Sequence, residues 1–501
     1  MEIVLATINA KYIHAAFGLR YLQANLGPWR QRSALMEFTS EEKPVDIVER
    51  IVQQAPKIVG LSVYIWNVQH SFEVVALLKR VSPQTCVVIG GPEVSHETDG
   101  QPIVGLADYV ITGEGEDAFR ALCGQLLAGK RPLMKIIAAP PPDVIALELP
   151  YELYSPSDIE HRVVYVEASR GCPFACEFCL SALDERVRNF PVEKFLGAMD
   201  DLLHRGLQHF KFVDRTFNLS AGVSERILRF FLERYRPGLF VHFELIPDRL
   251  PARLREVIKA FPTGALQFEI GIQTFNETVS HTISRRQDVA KLIDNLTFLR
   301  RETGVHLHTD LIVGLPGENL ESFAVGLNQL VDLGPQEIQI GILKRLRGTP
   351  IVRHDREYAM VYSPVPPYEV LSTRDLDFPT LQCMKRFAQI WDTVVNSGNF
   401  RDTAPYIWQD TSVFDGFWHF SESVFQKFGR VHAIALDRLA QHLRNFIRDE
   451  RGVRKSLLDD SLVADYQRCG RKTPSFLPAQ QNHTRTKSNN RFAARQARHL
   501  G

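Results

Sequence analysis

Three cysteines stand close together in the chain, at Cys172, Cys176 and Cys179. Intervals of three and two residues let one loop present three thiolates to a single compact metal centre. Neither a His nor a fourth Cys stands nearby to complete a tetrahedral zinc site. The pattern favours an iron–sulfur cluster with one iron open to another ligand. A structural zinc loop completed by a distant residue, such as Cys123, is the alternative.

The first 135 residues alternate short β-branched runs with amphipathic segments, which is typical of a doubly wound parallel sheet. Ligands bind outside the carboxyl ends of the strands in such sheets, so Gly90-Gly91-Pro92 and Thr112–Glu116 should lie along one edge. Glycines there allow a bulky ligand to approach the backbone, or they serve simple turns. The predicted strands are 2–7, 34–38, 58–63, 86–91 and 108–112, and the predicted helices are 12–26 and 68–81.

A second βα series follows a proline cluster at Pro140–Pro142, and residues 139–160 are predicted to be a linker. Six βα repeats predict a partial (βα)6 barrel over residues 161–355, with functional groups at the carboxyl ends of its strands. The cysteine triplet directly follows the first of these strands. The predicted barrel strands are 163–169, 209–214, 240–245, 266–272, 306–314 and 337–343.

The strand pattern stops near residue 365, and helical spacing predicts a mainly helical domain over residues 365–465. Residues 470–501 contain seven Lys or Arg and no acidic residue, among many Gln, Asn, Ser and Thr. A segment of this kind buries little apolar surface, so we expect a disordered basic tail. The fold class is therefore α/β, with a Rossmann-like domain at 1–138, the barrel and a helical C-terminal domain.

Composition and charge narrow the class of protein further. The 501 residues carry a net charge of +1, and 52 basic and 58 acidic residues lie outside the tail, so nucleic-acid binding is not expected. No apolar run approaches the length of a membrane span, and Met1 is not followed by a signal-peptide pattern. Seven cysteines, an odd number, disfavour a disulfide framework. We expect a cytoplasmic protein without a membrane partner.

The segment from Arg170 to Cys179, with Phe178 before the last cysteine, resembles the signature of the radical S-adenosylmethionine superfamily. The resemblance implies that Cys172, Cys176 and Cys179 hold a [4Fe–4S] cluster. Its free iron would chelate the amino and carboxylate groups of S-adenosylmethionine. One electron, from a donor such as flavodoxin or ferredoxin, would then cleave the sulfonium and give a 5′-deoxyadenosyl radical.

Barrels of the coproporphyrinogen-dehydrogenase type are similar to residues 160–350, and this similarity implies further S-adenosylmethionine contacts. Independent chemistry agrees, since Arg285 can bind a carboxylate through two parallel hydrogen bonds. Glu244 or Asp310 can accept hydrogen bonds from ribose hydroxyls or from an ammonium group. The implied contacts besides Phe178 are Asp214, Thr216, Glu244, Gln273, Arg285 and Asp310.

A Rossmann-like domain before such a barrel resembles the cobalamin-binding subfamily of these enzymes, which implies cobalamin as a third cofactor. The first loop lacks the Asp-x-His-x-x-Gly motif that supplies a histidine to cobalt, so His14 is not expected to be a ligand. Residues 428–446 resemble the uncharacterised C-terminal domain common in this subfamily. The implied cobalamin contacts are Gly90, Gly91, Gly113, Glu114 and Gly115.

The leading hypothesis is a cobalamin-dependent radical enzyme that transfers a methyl group to an unactivated carbon of a small molecule. The alternatives are a radical cyclase, oxidoreductase or rearrangement enzyme of the same superfamily and, from another class, a non-catalytic zinc-binding interaction protein. The sequence does not indicate the substrate. Lys344, Arg345 and Arg347 follow the sixth barrel strand and could meet an anionic substrate or form a solvated loop.

Overall fold

The computed structural model describes residues 1–478 and 495–499, and the chain forms two compact units. The first unit is Met1–Asp214 with the short segments Arg345–Pro350 and Ser363–Tyr368, and the second contains the other residues. The first unit includes two strands of the predicted barrel, so the units do not follow the predicted domain boundaries, which remain predictions. Among the described residues, no helix is both long and apolar enough to cross a membrane.

Six parallel strands form the main sheet of the first unit in the order β2-β1-β3-β4-β5-β6. The reversal of strand order at β1 confirms the predicted doubly wound architecture. The strands are β1 (Ile3–Asn9), β2 (Ser33–Thr39), β3 (Ile58–Ser62), β4 (Cys86–Gly90), β5 (Tyr109–Thr112) and β6 (Ile136–Ala138). The helices are α1 (Phe17–Ala24), α2 (Pro44–Val52), α3 (Val68–Val81), α4 (Pro102–Leu106) and α5 (Glu116–Leu127).

The first strand shows why this sheet is buried on both faces. Successive side chains of a strand point to opposite faces. Val4 and Ala6 accordingly belong to one hydrophobic core, whereas Ile3 and Leu5 belong to another. Every residue of β1 is buried. A strand with two apolar faces must be covered by helices on both sides, as in this unit.

The rest of the first unit supports the cysteine segment. Helix α6 lies within the predicted linker and carries Asp158, which forms an ion pair with the buried Arg20. Val144 and Leu147 also belong to an apolar cluster, so this part of the linker is packed. The elements are α6 (Pro156–His161), β7 (Val164–Val166), β8 (Ser169–Arg170), β9 (Arg188–Asn189), α7 (Val192–His204) and β10 (His209–Phe212), with β7 and β10 parallel.

Four parallel strands form the sheet of the second unit, in the order β11-β12-β13-β14. Buried and half-buried residues alternate along β13, and the half-buried positions include His308 and Asp310. The strands are β11 (Phe240–Leu245), β12 (Leu266–Gln273), β13 (His306–Val313) and β14 (Glu337–Ile342). The helices are α8 (Ala221–Glu233), α9 (Ala252–Lys259), α10 (Glu277–Thr282), α11 (Val289–Glu302) and α12 (Leu320–Leu333).

The C-terminal region is mainly helical, as predicted. Phe414 and Phe417 pack against Phe387, so the aromatic stripe noted in the sequence is at least partly a packing face. The elements are the antiparallel strands β15 (Val361–Tyr362) and β16 (Val370–Ser372) and helices α13 (Phe378–Trp391), α14 (Val413–Phe428), α15 (Leu436–Arg451) and α16 (Lys455–Arg468).

The predicted disordered tail, 470–501, differs from the structure in two segments. Residues 470–478 are placed beyond α16, and residues 495–499 form a short turn. Arg495 forms ion pairs with Glu337 and Asp392, which explains why a basic segment takes a fixed position here. Residues 479–494 and 500–501 lie outside the described residues.

Candidate functional site

The cysteine loop is closed at its base by a small strand pair. Strands β8 and β9 pair Ser169 with Asn189 and Arg170 with Arg188. The Cys172 amide donates a hydrogen bond to the Asp184 carbonyl at 2.8 Å. Gly171 has φ +91°, and a Cβ there would overlap the Arg186 carbonyl, so only glycine suits this close approach. The loop therefore leaves and re-enters the fold at fixed points.

The three cysteines on this loop supply a donor set of thiols. All three are free of disulfides, Cys172 and Cys176 are buried, and Cys179 is half-buried, like Phe178 beside it. Among the described residues, no three His, Cys, Asp or Glu side chains are arranged to hold one metal ion. A tetrahedral zinc site needs such convergence, whereas the thiolates of a four-iron cluster bind different irons. Three thiols on one short loop fit the ligand set of such a cluster.

Cys123, the residue considered as a distant zinc ligand, lies elsewhere in the first unit. It is fully buried in the apolar core of the Rossmann-like sheet. Burial raises the pKa of its thiol to about 12, which opposes the thiolate that metal binding needs. Cys123 is therefore a core residue.

Asp214 anchors the segment that leads into the cysteine loop. Its carboxylate accepts hydrogen bonds from the Ala168 amide at 3.0 and 3.1 Å and from the Ser169 hydroxyl at 2.6 Å. Burial raises the pKa of Asp214 to about 7. The structure thus gives this predicted S-adenosylmethionine contact an intramolecular role.

Three of the predicted S-adenosylmethionine contacts come together around Gly271 in the second unit. Gly271 is opposite Asp310 in the strand register. A Cβ on Gly271 would overlap the Gln273 amide and lie 3.8 Å from Arg285 Nη2. Arg285 donates a hydrogen bond to the Gly271 carbonyl. An arginine, an amide and a carboxylate thus converge, as binding a zwitterionic amino acid requires.

Gln273 is held in an unfavourable conformation at this site. Its φ is +70°, in the left-handed region that costs a non-glycine residue roughly 1–2 kcal/mol. Its buried Oε1 atom has no hydrogen-bond partner among the described residues. A strained residue with an unsatisfied buried acceptor is typical of a ligand-binding position.

The remaining two predicted contacts, Thr216 and Glu244, differ in their surroundings. The buried Thr216 Oγ1 has no hydrogen-bond partner in the described part of the chain. Glu244 accepts two hydrogen bonds from Arg215, at 2.9 and 3.1 Å. Glu244 lies opposite Glu269 in the register, and Glu269 stands two residues before Gly271 on the neighbouring strand. To bind a ligand, Glu244 would have to give up its hydrogen bonds with Arg215.

A cavity of about 260 Å³ opens at the carboxyl ends of β3, β4 and β5 in the first unit. All five residues predicted to contact cobalamin line it, namely Gly90, Gly91, Gly113, Glu114 and Gly115. Side chains of Phe17, Leu22, Leu61, Tyr64, Ile89 and Phe119 make much of its wall apolar. Gly91 has φ +113°, and a Cβ there would come within 2.5 Å of the Val63 carbonyl. Apolar walls with a few polar groups are typical of a cofactor pocket.

Arg170, which the sequence analysis did not single out, joins this cavity to the cysteine loop. It lines the cavity and stands two residues before Cys172. Its guanidinium lies 2.8 Å from both Glu114 and Glu116 and 2.9 Å from Glu167. No local sequence signal indicates this role of Arg170, because its partner Glu114 lies 56 residues away in the chain.

The pKa values of two carboxylates around Arg170, Glu167 and Glu114, are shifted in opposite directions. Burial raises the pKa of Glu167. Burial also opposes ionisation of Glu114, but Arg188 and Arg170 outweigh it and lower the pKa of Glu114. Glu114 thus carries a fixed negative charge between two arginines, and at least part of its predicted cofactor role is structural.

The other basic and histidine candidates have intramolecular partners within the first unit. Arg345 lies 3.2 Å from Glu97, and Arg347 lies 2.8 Å from Glu93. These pairs hold the segment after β4, so these two arginines are not a solvated loop. His14 Nδ1 lies 2.6 Å from the Tyr165 hydroxyl, and His14 does not line the cavity.

Three family models match successive parts of the chain. Residues 3–123 match the B12 binding domain, residues 166–328 match the radical SAM superfamily, and residues 356–500 match a protein of unknown function (DUF4080). These matches confirm the family resemblance noted in the sequence. They also support the three expected cofactors: a [4Fe–4S] cluster, S-adenosylmethionine and cobalamin.

Two curated proteins are similar to this chain over more than half of its length. The 2-(S-pantetheinyl)-carbapenam-3-carboxylate methyltransferase of Streptantibioticus cattleyicolor is 25% identical over 337 residues, covering 59% of this chain and 48% of that protein. The cobalamin-dependent radical SAM methyltransferase TokK of Streptomyces tokunonensis is 25% identical over 348 residues, covering 60% and 50%. The chain thus spans about half the length of these relatives.

Among solved structures, the radical S-adenosylmethionine methyltransferase TsrM of Kitasatospora setae is similar in fold. The TM-score is 0.59 at 15% identity, and the match covers 73% of this chain and 79% of TsrM. At this identity the likeness shows the fold alone. By the three family models, the chain carries a radical SAM domain between an N-terminal B12 binding domain and a C-terminal DUF4080 domain.

Proposed function

We propose that this protein is a cobalamin-dependent radical S-adenosylmethionine methyltransferase acting on an unactivated carbon of a small molecule. The observation that carries the proposal is the single short loop that carries Cys172, Cys176 and Cys179, none of them in a disulfide. Three thiolates leave one iron of a [4Fe–4S] cluster open to S-adenosylmethionine. With a reductant, the bound cofactors supply radical generation and methyl transfer.

The residues around Gly271 would hold S-adenosylmethionine. Arg285 supplies two parallel N–H donors for a carboxylate, and Asp310 supplies an acceptor for an ammonium or ribose hydroxyl. Gln273 offers an unsatisfied carbonyl oxygen. These groups bind and orient; none of them needs to transfer a proton.

The cavity of the first unit would hold an apolar part of cobalamin. Its volume of about 260 Å³ is too small for a whole corrinoid, so the remainder would lie outside. His14 has a tyrosine partner and lies outside the cavity lining, which supports binding without this histidine as cobalt ligand. Arg170 and its three carboxylates would form the polar part of the wall.

Cleavage of S-adenosylmethionine tests the radical part of the proposal. Protein reconstituted with iron and sulfide under anaerobic conditions and then reduced should form 5′-deoxyadenosine. Cys176→Ala should abolish this product and lower the iron content. Cys383→Ala is the control, because Cys383 lies in α13, outside the loop. Formation of 5′-deoxyadenosine by Cys176→Ala would contradict the proposal.

Transfer of isotope from methyl-labelled S-adenosylmethionine tests the second part. The cobalamin-loaded protein is incubated with small-molecule extract, and labelled products are sought by mass spectrometry. Methyl transfer predicts a labelled product that depends on cobalamin. If an extract component is consumed and 5′-deoxyadenosine forms, but no product carries the label, the result would instead indicate a radical cyclisation, oxidation or rearrangement.

A further inference from the structure

The second unit contains a group of buried and half-buried histidines and carboxylates, of which the proposed function uses only Asp310. Glu269, His308 and Glu337 lie side by side in the register of β12, β13 and β14. His306 and Asp310 flank His308 on the same face of β13, because residues two apart share a face. Ionisable groups in such numbers are costly inside a sheet unless they are paired.

Short distances connect His306, Glu337, His308 and Asp310 in one row of side chains. His306 Nε2 lies 3.0 Å from Glu337 Oε1, and His308 Nδ1 lies 3.6 Å from Glu337 Oε2. His308 Nε2 lies 3.5 Å from Asp310 Oδ1. Glu337 thus contacts both histidines, and His308 lies between Glu337 and the predicted S-adenosylmethionine contact Asp310.

The pKa of His308 reflects the carboxylates around it. Burial would lower the pKa of His308, but Asp310, Glu337 and Glu269 raise it to about 9. Neither His308 Nε2 nor Asp310 Oδ1 makes a hydrogen bond with the described residues. Burial also raises the pKa of Asp310, and His308 Nε2, 3.5 Å from Asp310 Oδ1, is placed to orient this side chain.

The C-terminal turn, residues 495–499, contacts the end of this row of side chains that lies away from Asp310. Arg495 Nη2 lies 2.8 Å from Glu337 Oε2, and Gln496 donates a hydrogen bond to Gln267 at 2.9 Å. The His499 ring is 5.4 Å from the His306 ring. These contacts place the turn at the amino-terminal ends of β12, β13 and β14, opposite the ends that carry the predicted binding groups.

We propose that Arg495 is a positioning residue that, through Glu337 and His308, holds Asp310 in the orientation that binds S-adenosylmethionine. The inference rests on the proposed function and gives the end of the DUF4080 region a role in the radical SAM domain. Without Arg495, the charge of Glu337 would lack its partner from the turn. His308 would then move toward Glu337 and away from Asp310.

Binding of S-adenosylmethionine to the reconstituted holoprotein, measured by equilibrium dialysis with labelled ligand, tests this inference. Arg495→Ala should raise the Kd about tenfold, as for neighbours in one charged network. Arg495→Lys keeps the charge and should recover most of the affinity. Arg498→Ala is the matched control, because Arg498 belongs to the same turn and donates hydrogen bonds to Ser397 and Asn399.

A double-mutant cycle distinguishes positioning from simple loss of stability. In a Glu337→Gln protein, Arg495→Ala should have no further effect on the Kd, because the charge it balances is gone. Hydrogen exchange of β13 in the protein without S-adenosylmethionine should rise in Arg495→Ala more than in Arg498→Ala.

The outcomes separate the two proposals. Equal Kd values for the wild-type protein and Arg495→Ala, or equal losses in Arg495→Ala and Arg498→Ala, would overturn the positioning role. If the wild-type holoprotein itself binds no S-adenosylmethionine, the proposed function fails, and exchange of β13 alone then decides whether Arg495 supports His308 and Asp310.

Discussion

Replacing Arg170 should destabilise the first unit in a way that depends strongly on pH. The Arg170 side chain is only 12% exposed and contacts Glu114, Glu116 and Glu167. Arg170→Met keeps most of the aliphatic stem but removes the charged guanidinium, which lies over the Tyr21 ring. Three carboxylates would then face one another with one arginine fewer.

The magnitude follows from the burial of these groups. Removing one partner of a buried ion pair costs about 3–5 kcal/mol, and Arg188 still neutralises Glu114 in the variant. We therefore expect a loss of about 4 kcal/mol in the free energy of unfolding near pH 8. In a unit of this size, that loss lowers the Tm by roughly 8–16 °C.

The pH dependence has a definite sign. Burial already raises the pKa of Glu167, and without the opposing charge of Arg170 it rises further in the folded state. Groups with a raised pKa in the folded state stabilise it below their unfolded pKa and lose this contribution as pH rises. The deficit of Arg170→Met should therefore be largest at pH 8 and shrink toward pH 5.

Thermal unfolding of Arg170→Met and wild-type protein from pH 5 to 8, with circular dichroism detection, measures this deficit. Arg120→Met is the control, since Arg120 is 47% exposed and its pair with Asp117 should contribute under about 1 kcal/mol. An unchanged Tm, or the same deficit at pH 5 and pH 8, would refute the reasoning.

Three further substitutions test single features of the site. Burial raises the pKa of Asp214 from 3.8 to about 7. The wild-type protein should therefore lose stability relative to Asp214→Asn as pH rises across this interval. Denaturant titrations at several pH values should show that the difference in free energy of unfolding between the two proteins changes with pH; a constant difference would contradict this. Gly91→Ala should lower the free energy of unfolding by about 1–3 kcal/mol and weaken cobalamin retention after desalting, because the new Cβ meets Val63. Gly105→Ala is the control and should change neither quantity, because its Cβ enters open space. Gln273→Gly should relieve the φ of +70° and leave the Tm unchanged or raised, while it weakens S-adenosylmethionine binding; retained affinity would count against Gln273 as a contact.

Periodicity predicted the strands of both sheets except β6, because each of the others carries its own local signal, whereas β6 has only three residues. Helix Val68–Val81 has the predicted bounds, and β11 was predicted at the residues where it lies. The cysteine loop and the glycine segments were also predictable, since spacing and backbone freedom are local properties. The helix Glu116–Leu127 was not predicted, although it borders the cavity.

Long-range charge pairs were beyond prediction from a single sequence. Nothing local distinguishes Arg170 or Arg495 from a solvated arginine, because Glu114 and Glu116 lie far from Arg170 in the chain and Glu337 lies far from Arg495. For the same reason, the sequence favoured disorder for a tail whose Arg495 in fact pairs with Glu337. Asp214 was expected to contact a ligand, yet its position beside Ala168 depends on the pairing of β7 with β10.

The open iron position is the central claim, and electron paramagnetic resonance tests it most directly. Anaerobically reconstituted and reduced protein is measured with and without S-adenosylmethionine. If the three cysteines hold a [4Fe–4S] cluster with a free iron, addition of S-adenosylmethionine should shift the signal of the reduced cluster, and Cys176→Ala should lose that signal. A cluster signal that S-adenosylmethionine leaves unchanged, or stoichiometric zinc in place of iron, would contradict the account.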